Sequence, residues 1–398
     1  MFSNKDLRKL IIPLVIEQLL AVTIGMADTV MVSSCGEAAV SGISLVDSIN
    51  FLLITLFSSL ATGGAVIASQ YIGRGDHKSA SLAAKQLFYA SLALSAVLGV
   101  IAVFFRKPVL NMVFGSIEAD VMAHAQIYFL LSAISYPFLA VYNAGAALFR
   151  SMGDSRTTML ISILMNTINI VGNAILIYGF QMAAAGAATA SLVSRAVGAI
   201  IITVLLLNPR RIIFYDKLHK PEIHLSMLKS ILQIGVPNGL ENSIFQIGKI
   251  LVASIVSGFG TISITANAVA GNLASLQVIP GMALGMAMIT VVGQCIGAKD
   301  YEAVKKYTKK LMLITYGVVW AMTLLMLLFS KQILSFYSLS EETTTMTMEV
   351  FIVHGICAVI VWPLAFALPN ALRAANDVRF TMIVSLLSMW IFRIGFSY

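Results

Sequence analysis

Beyond its first few residues the chain passes through one long apolar run after another, each long enough to cross a bilayer. A helix needs about 20 apolar residues to span the hydrocarbon core, and in lipid its backbone must close its hydrogen bonds internally. The runs predict eleven helical spans, at roughly 10 to 34, 45 to 72, 86 to 105, 121 to 148, 157 to 180, 182 to 207, 227 to 257, 264 to 296, 311 to 330, 345 to 372 and 378 to 396. Several are longer than a bilayer demands, which predicts tilt, kinks or extension into water. Charged residues make up only 11% of the 398 and hydrophobic residues 59%, where a soluble domain carries about 25% charge. The fold class is therefore an all-α polytopic membrane protein. The opening MFSNKDLRKL starts like a secretory signal, but the run behind it is too long and lacks a cleavage site, so it reads as an uncleaved first span.

One pattern occurs twice. PLVIEQLLAVTIGMADTV, from Pro13, returns 224 positions later as PNGLENSIFQIGKILVAS, from Pro237. Glu17 meets Glu241, Val32 meets Val256, Ser33 meets Ser257 and Gly36 meets Gly260, and QYIGRGD at 70–76 meets QCIGAKD at 294–300. Such register across two helices and a loop predicts two homologous halves. An even number of spans before the restart predicts two six-helix bundles in the same orientation, related by a pseudo-twofold axis along the membrane normal. The expected domains are an N-terminal lobe at 1–207, a linker at 208–226 and a C-terminal lobe at 227–398. A partner for the sixth span would begin near position 406, so the second bundle lacks its last helix in this chain. Pro137, Pro280, Pro363 and Pro369 fall inside spans as candidate kinks. Gly281 with Gly285, and the small residues of Ala183 to Ala188, favour close helix approach.

The net charge of +8 is spread thinly between apolar runs and forms no nucleic-acid face. Nineteen Lys and Arg fall in loops on one side of the membrane and three, Arg106, Lys107 and Lys331, on the other. The positive-inside rule then places the N-terminus and the linker in the cytoplasm, with the basic linker near anionic headgroups. The expected setting is the cytoplasmic membrane of a prokaryote, with the chain acting as a monomer among membrane lipids. Cys35, Cys295 and Cys357 have no CxxC spacing, and the histidines form no ligand pattern, so free thiols, no metal site and no cofactor are expected.

Carboxylates inside spans are costly and mark function by default. Glu17 and Asp28 are separated by eleven residues, about three turns, and so share a helix face. Asp28 has Val252 as its counterpart, so the halves differ in charge. Asp28, Glu241 and Glu17 are the candidate ion-coupling residues, because a carboxylate in low dielectric exchanges a proton or cation readily. The competing reading for Glu241 is a fixed ion pair with Lys249, two turns along the same helix. Asn166, Asn169 and Asn173 recur at helical spacing and line one face; they serve Asp28, a substrate, or neighbouring helices. Gln18, Asn242 and Gln246 stand near the acids as further cavity candidates. The Gln-x-x-Gly-x-x-Asp loops read as helix ends and caps.

Taken in order, the opening P-x-x-x-E-Q with ADTVMV and Gly36, QYIGRGD, RSMGDSR at Arg150 to Arg156, PNGLENSIF at Pro237 to Phe245, QCIGAKD, and LRAANDVR at Leu372 to Arg379 resemble the multidrug and toxic compound extrusion (MATE) transporters over essentially the whole chain. The resemblance implies a twelve-helix, two-lobed antiporter that exports cationic or amphipathic drugs, often aromatic, against inward Na⁺ or H⁺. It matches Asp28 to a first-helix coupling acid and Glu241 to a seventh-helix acid used for cation coupling in one subfamily. The fifth-helix acid of proton-coupled members is Asn173 here, and the segment Pro363 to Asn370 has no tenth-helix acid.

Flipping of a lipid-linked precursor is the alternative, and it asks for a strongly basic cavity; within spans only Arg195, Lys249 and Arg393 qualify. An enzyme would need HExxH or an activated nucleophile, and neither pattern is present. A channel or a non-transporting membrane component is a further reading.

Overall fold

The computed structural model describes residues 2–115, 117–220, 222–335, 337 and 339–397, with the backbone alone at Ile24, Met26, Ala27 and Thr29. The described residues fold into helices joined by short loops, apart from one longer segment between Leu206 and Leu225, with no strand among them. In chain order these are α1 (Asn4–Ser33), α2 (Glu37–Gly73), α3 (His77–Phe114), α4 (Ala119–Ser151), α5 (Ser155–Asn173) and α6 (Ala183–Leu206). There follow α7 (Leu225–Ser257), α8 (Thr261–Gly297), α9 (Tyr301–Leu328), a short α10 (Ser330–Ser335), α11 (Glu341–Trp362), α12 (Leu368–Ala374) and α13 (Val378–Leu387). Wider π turns extend α5 over Ala174–Gly179, join α11 to α12 over Pro363–Ala367, and continue α13 over Ser388–Ile394. Among the described residues nine helices are long and apolar enough to cross a membrane. The expected first span, α1, lies outside those nine and carries Lys5, Arg8, Lys9, Glu17 and Asp28; so does the expected eleventh, whose α-helical part is ten residues.

Most helices overrun the expected spans. α2 begins at Glu37, well ahead of its apolar core, and α3 runs 38 residues from His77. Charged residues at a helix end break the apolar run but not the helix, since they stay hydrated. Phe105 leaves helical geometry at φ −106° and ψ 19°, three residues before Pro108. At Pro363 the backbone opens into π turns, whereas Pro137 and Pro280 are carried inside continuous helices.

The repeat is written in the backbone. α2 and α8 are each 37 residues long and begin 224 positions apart, behind Gly36 at φ 95°, ψ 163° and Gly260 at φ 91°, ψ 174°. That conformation is essentially closed to residues with a Cβ, which explains why both positions are glycine. Asp76 and Asp300, as expected of their loops, cap the helices that follow by accepting the N–H of Ser79 at 3.0 Å and of Ala303 at 2.9 Å. Hydrogen bonds from Ser79 hold the Asp76 carboxyl below the usual range.

The chain forms two compact units, Asn4–Val236, and Pro237–Tyr398 with Met1–Ser3. In the first, α2, α3 and α4 enclose a core around Phe57, Leu110, Phe129 and Tyr136. Small residues set its helix spacing: a methyl on Gly63 would strike the Ile231 carbonyl at the start of α7, and one on Gly145 would strike Ile202. The second unit packs Leu273, Met326, Leu334 and Phe351 together. Gly281 and Gly285 there admit Trp362 and Asn370, the close approach that their spacing predicted.

The segment between α6 and α7 is strapped to the first unit. Tyr89 Oη donates to the Leu218 carbonyl at 2.8 Å, Gln86 Nε2 to the Glu222 carbonyl at 2.7 Å, and Phe214 N–H to Ser81 Oγ at 3.2 Å. Arg211, counted in the sequence among charges offered to lipid, instead meets Asp154 at 3.3 Å and lies over the Phe149 ring. Tyr215 of the same segment is buried against Phe88, and burial pushes its hydroxyl well above the usual range. All three cysteines are free thiols.

Candidate functional site

α1 carries two polar stations. Its lower one is Glu17, 7% exposed, which meets Arg150 Nη1 of α4 at 3.3 Å and accepts from Thr158 Oγ1 of α5 at 2.8 Å. The carboxylate is thereby neutralised and locks α1 to the α4–α5 junction. The second unit repeats the device. Glu241 of α7, also 7% exposed, meets Arg373 Nη2 of α12 at 2.8 Å and accepts from Ser385 Oγ of α13 at 2.8 Å. Lys249, the partner that helical spacing offered, lies over the Phe245 ring at 5.4 Å instead. A tertiary neighbour within hydrogen-bond reach wins over a lysine two turns away.

The upper station, Asp28, is built differently. Asn173 Nδ2 of α5 donates to Asp28 Oδ1 at 2.6 Å. With the Asn169 amide oriented to satisfy both of its ends, its nitrogen stands 2.7 Å from Asp28 Oδ1 and 3.2 Å from Oδ2, and its oxygen accepts from Ser191 Oγ of α6 at 3.0 Å. The two asparagines are one turn apart, so α5 delivers both to the same carboxylate. Asn169 and Asn173 are buried, and the Asn173 oxygen has no hydrogen-bond partner among the described residues.

Asn166, one turn before Asn169, does not join this group: its amide donates to Ser162 Oγ at 3.3 Å on its own helix. Asn242 donates to the Asn238 carbonyl at 2.9 Å, and it, Gln246 and Gln18 are half-buried. The structure thus gathers Asp28, Asn169 and Asn173, and sets Glu17 and Glu241 at separate stations.

A network the spacing arguments missed lies on α2. Asp47 accepts from Tyr128 Oη at 3.0 Å and from Asn50 Nδ2 at 3.2 Å. Tyr136 Oη donates to Asn50 Oδ1 at 2.8 Å, and Arg195 of α6 donates to Ser135 Oγ at 2.7 Å. Asp47 itself remains exposed. It stands at the expected edge of the second span, where a carboxylate passes for a loop residue; Asn50 three positions on was the available signal.

Chemically, Asp28 has one negative charge, two amides that can turn either nitrogen or oxygen toward it, and a hydroxyl behind them. The set suits one proton or one small hard cation, which prefers carboxylate and carbonyl oxygen. No group of three or more His, Cys, Asp or Glu side chains that could hold a metal ion is found among the described residues.

Known proteins place the chain. It is 26% identical over 384 residues to the uncharacterized transporter YisQ of Bacillus subtilis, covering 95% of this chain and 83% of that one. It is 25% identical to the probable multidrug resistance protein NorM of Thermotoga maritima, covering 99% and 85%. A crystal structure of MATE in the straight conformation superposes with TM-score 0.91 at 20% identity, covering 98% and 87%, and an outward-facing multidrug resistance MATE family transporter with TM-score 0.90, also at 20% identity, covering 99% and 87%. Those two agree in fold. The MatE family model matches residues 13–175 and 237–398, the two halves that the repeat defines. The protein is a multi-pass membrane protein and belongs to the MatE family.

Proposed function

We propose that this protein is a secondary antiporter that exports cationic or amphipathic drugs from the cytoplasm and takes in one monovalent cation per cycle at Asp28, by alternating access. The naming of NorM relatives as probable multidrug resistance proteins supports the cargo class. The observation that carries the coupling site is the buried Asn173 amide, bonded to Asp28 through nitrogen while its oxygen lacks a partner among the described residues. Rotation of that amide would exchange a donor for a cation ligand without moving the helix. Asp47 and Arg195 both act on Asp28 electrostatically and with opposite sign, so the site's charge is close to that of one carboxylate, which calls for a single positive charge. Sodium is favoured because Asn169, Asn173 and Ser191 can add neutral oxygens around it, with protons competing for the same carboxylate.

In this proposal Glu17 and Glu241 couple indirectly. Each is already held by an arginine, so either takes up a cation only if a lobe rearrangement frees it. Asp47 contributes an exposed negative charge attractive to cationic cargo, and Gln18, Asn166, Asn242 and Gln246 remain proposed as cavity residues. The acids Asp28 and Asp47 in the first unit support cationic cargo over a lipid phosphate. The N-terminus lies in the cytoplasm in this proposal, following the basic loops.

The test is ethidium efflux from energy-depleted, drug-sensitive cells under an imposed Na⁺ or H⁺ gradient. Efflux with an inward Na⁺ gradient, and slower efflux as external pH falls at constant Na⁺, is expected. Efflux that responds to neither gradient contradicts antiport.

A further inference from the structure

The membrane-embedded part of the second unit has an unbalanced charge. Its one mid-helix carboxylate, Glu241, is cancelled by Arg373, and its other acids, Asp300, Glu302, Glu341, Glu342, Glu349 and Asp377, lie at or within about three turns of a helix start. Lys249 and Arg393 are left over, and among the described residues neither forms an ion pair. Both stand against one ring: Lys249 Nζ is 5.4 Å and Arg393 Cζ 5.5 Å from the Phe245 centroid. That ring packs edge-on against Phe366 at 5.6 Å, and Phe366 stacks on Trp362 at 5.4 Å, with 23° between their planes. Gly248 admits Met389, which brings α7 against the π turns that carry Arg393.

Intramembrane cations normally face carboxylates or backbone carbonyls, and a ring quadrupole compensates them only in part. Two of them sharing one ring also repel each other. Among the described residues no anion pairs with either cation, and Phe245, Phe366 and Trp362 supply an aromatic wall of edge-on and stacked rings beside them. We propose that Lys249, Arg393, Phe245, Phe366 and Trp362 form a binding site for an amphipathic aromatic carboxylate, whose acid group meets the two cations and whose ring lies against the aromatic side chains. A guanidinium takes a carboxylate in bidentate fashion, and the ammonium supplies a second point charge. The site is built from second-unit residues and Asp28 belongs to the first, and binding is measured without any gradient, so its failure and the failure of the antiport reading are separate results.

Equilibrium dialysis of radiolabelled naphthoate against the purified full chain tests it, with naphthylmethanol as the neutral equivalent, inorganic phosphate and phosphatidate micelles as competitors, and thermal unfolding as the fold control. The site predicts one naphthoate per chain, at least about tenfold weaker binding in each of Lys249→Gln and Arg393→Gln, and about tenfold weaker binding of the alcohol. Lys249→Arg should retain binding. If neither glutamine variant folds, naphthoate against alcohol on the parent protein decides the question. Equal affinity for the two probes overturns the proposal, as does naphthoate binding unchanged in both folded variants. Displacement by inorganic phosphate or phosphatidate at concentrations comparable to naphthoate also overturns it, in favour of a phosphate or lipid-headgroup site.

Discussion

Asn173 Nδ2 of α5 lies 2.6 Å from Asp28 Oδ1 of α1, and the oxygen of the same buried amide has no partner among the described residues. An amide in that position can serve an ionised carboxylate as donor or help it hold a cation as acceptor. The pairing ties the helix that carries the charge to the helix that must respond to it.

Replacing Asn173 by Asp should change the ion rather than abolish transport. Two carboxylates this close cannot both stay ionised, so one is pushed to hold a proton near neutral pH. Asn173→Asp is expected to gain ethidium efflux under an H⁺ gradient. Asn173→Leu, lacking oxygen, should lose sodium-driven efflux while retaining its fold. Gradient-resolved efflux of both variants checks this.

Glu241→Gln and Glu17→Gln should destabilise more than they uncouple. Glu241→Gln leaves the buried Arg373 without this carboxylate, at a cost of about 3–5 kcal/mol for a broken buried pair, whereas Glu17→Gln removes one partner from the half-buried Arg150 and should cost less. The unfolding midpoint in detergent should fall in both. Pairing Glu241→Gln with Arg373→Met should recover much of the loss, which a double-mutant cycle measures. An undiminished midpoint in Glu241→Gln with efflux abolished would instead make Glu241 a direct coupling acid.

Gly36→Ala and Gly260→Ala should each cost about 1–3 kcal/mol, because φ near +95° with ψ near 165° is open to glycine alone. Their equivalence across the repeat predicts similar losses. Thermal unfolding of the two single variants provides the comparison.

Asp47→Asn keeps an acceptor for Tyr128 and Asn50 but removes a charge. The KM for ethidium should rise about tenfold, the equivalent of some 1.4 kcal/mol of lost attraction, with the unfolding midpoint little changed. Steady-state efflux at varied dye concentration reads it.

Much of the architecture could be read from the chain because it rests on local rules. Gly36 and Gly260 sit where only glycine fits, Asp76 and Asp300 cap by sequence-near hydrogen bonds, and the apolar runs mark the bilayer-sized core of each helix. Helix ends were less legible, since residues such as Glu37 and His77 are polar yet remain helical in water. At the site, Asn169 and Asn173 could be assigned to one face of α5 from spacing alone. That this face meets Asp28 is a matter of how α1 packs on α5. Arg150 and Arg373 counted only as loop charges, because their approach to Glu17 and Glu241 depends on tertiary packing between helices remote in sequence. For the same reason helical spacing offers Glu241 only Lys249 as a competing ion-pair partner, while packing brings Arg373 to it.

The central claim is that Asp28 holds the coupling cation. Equilibrium binding of radiolabelled sodium to the purified protein, parent beside Asp28→Asn, addresses it most directly. The account predicts about one sodium per chain in the parent, displaced as pH falls, and none in Asp28→Asn. Sodium bound equally by the variant, or no sodium bound by the parent at any pH, would contradict it.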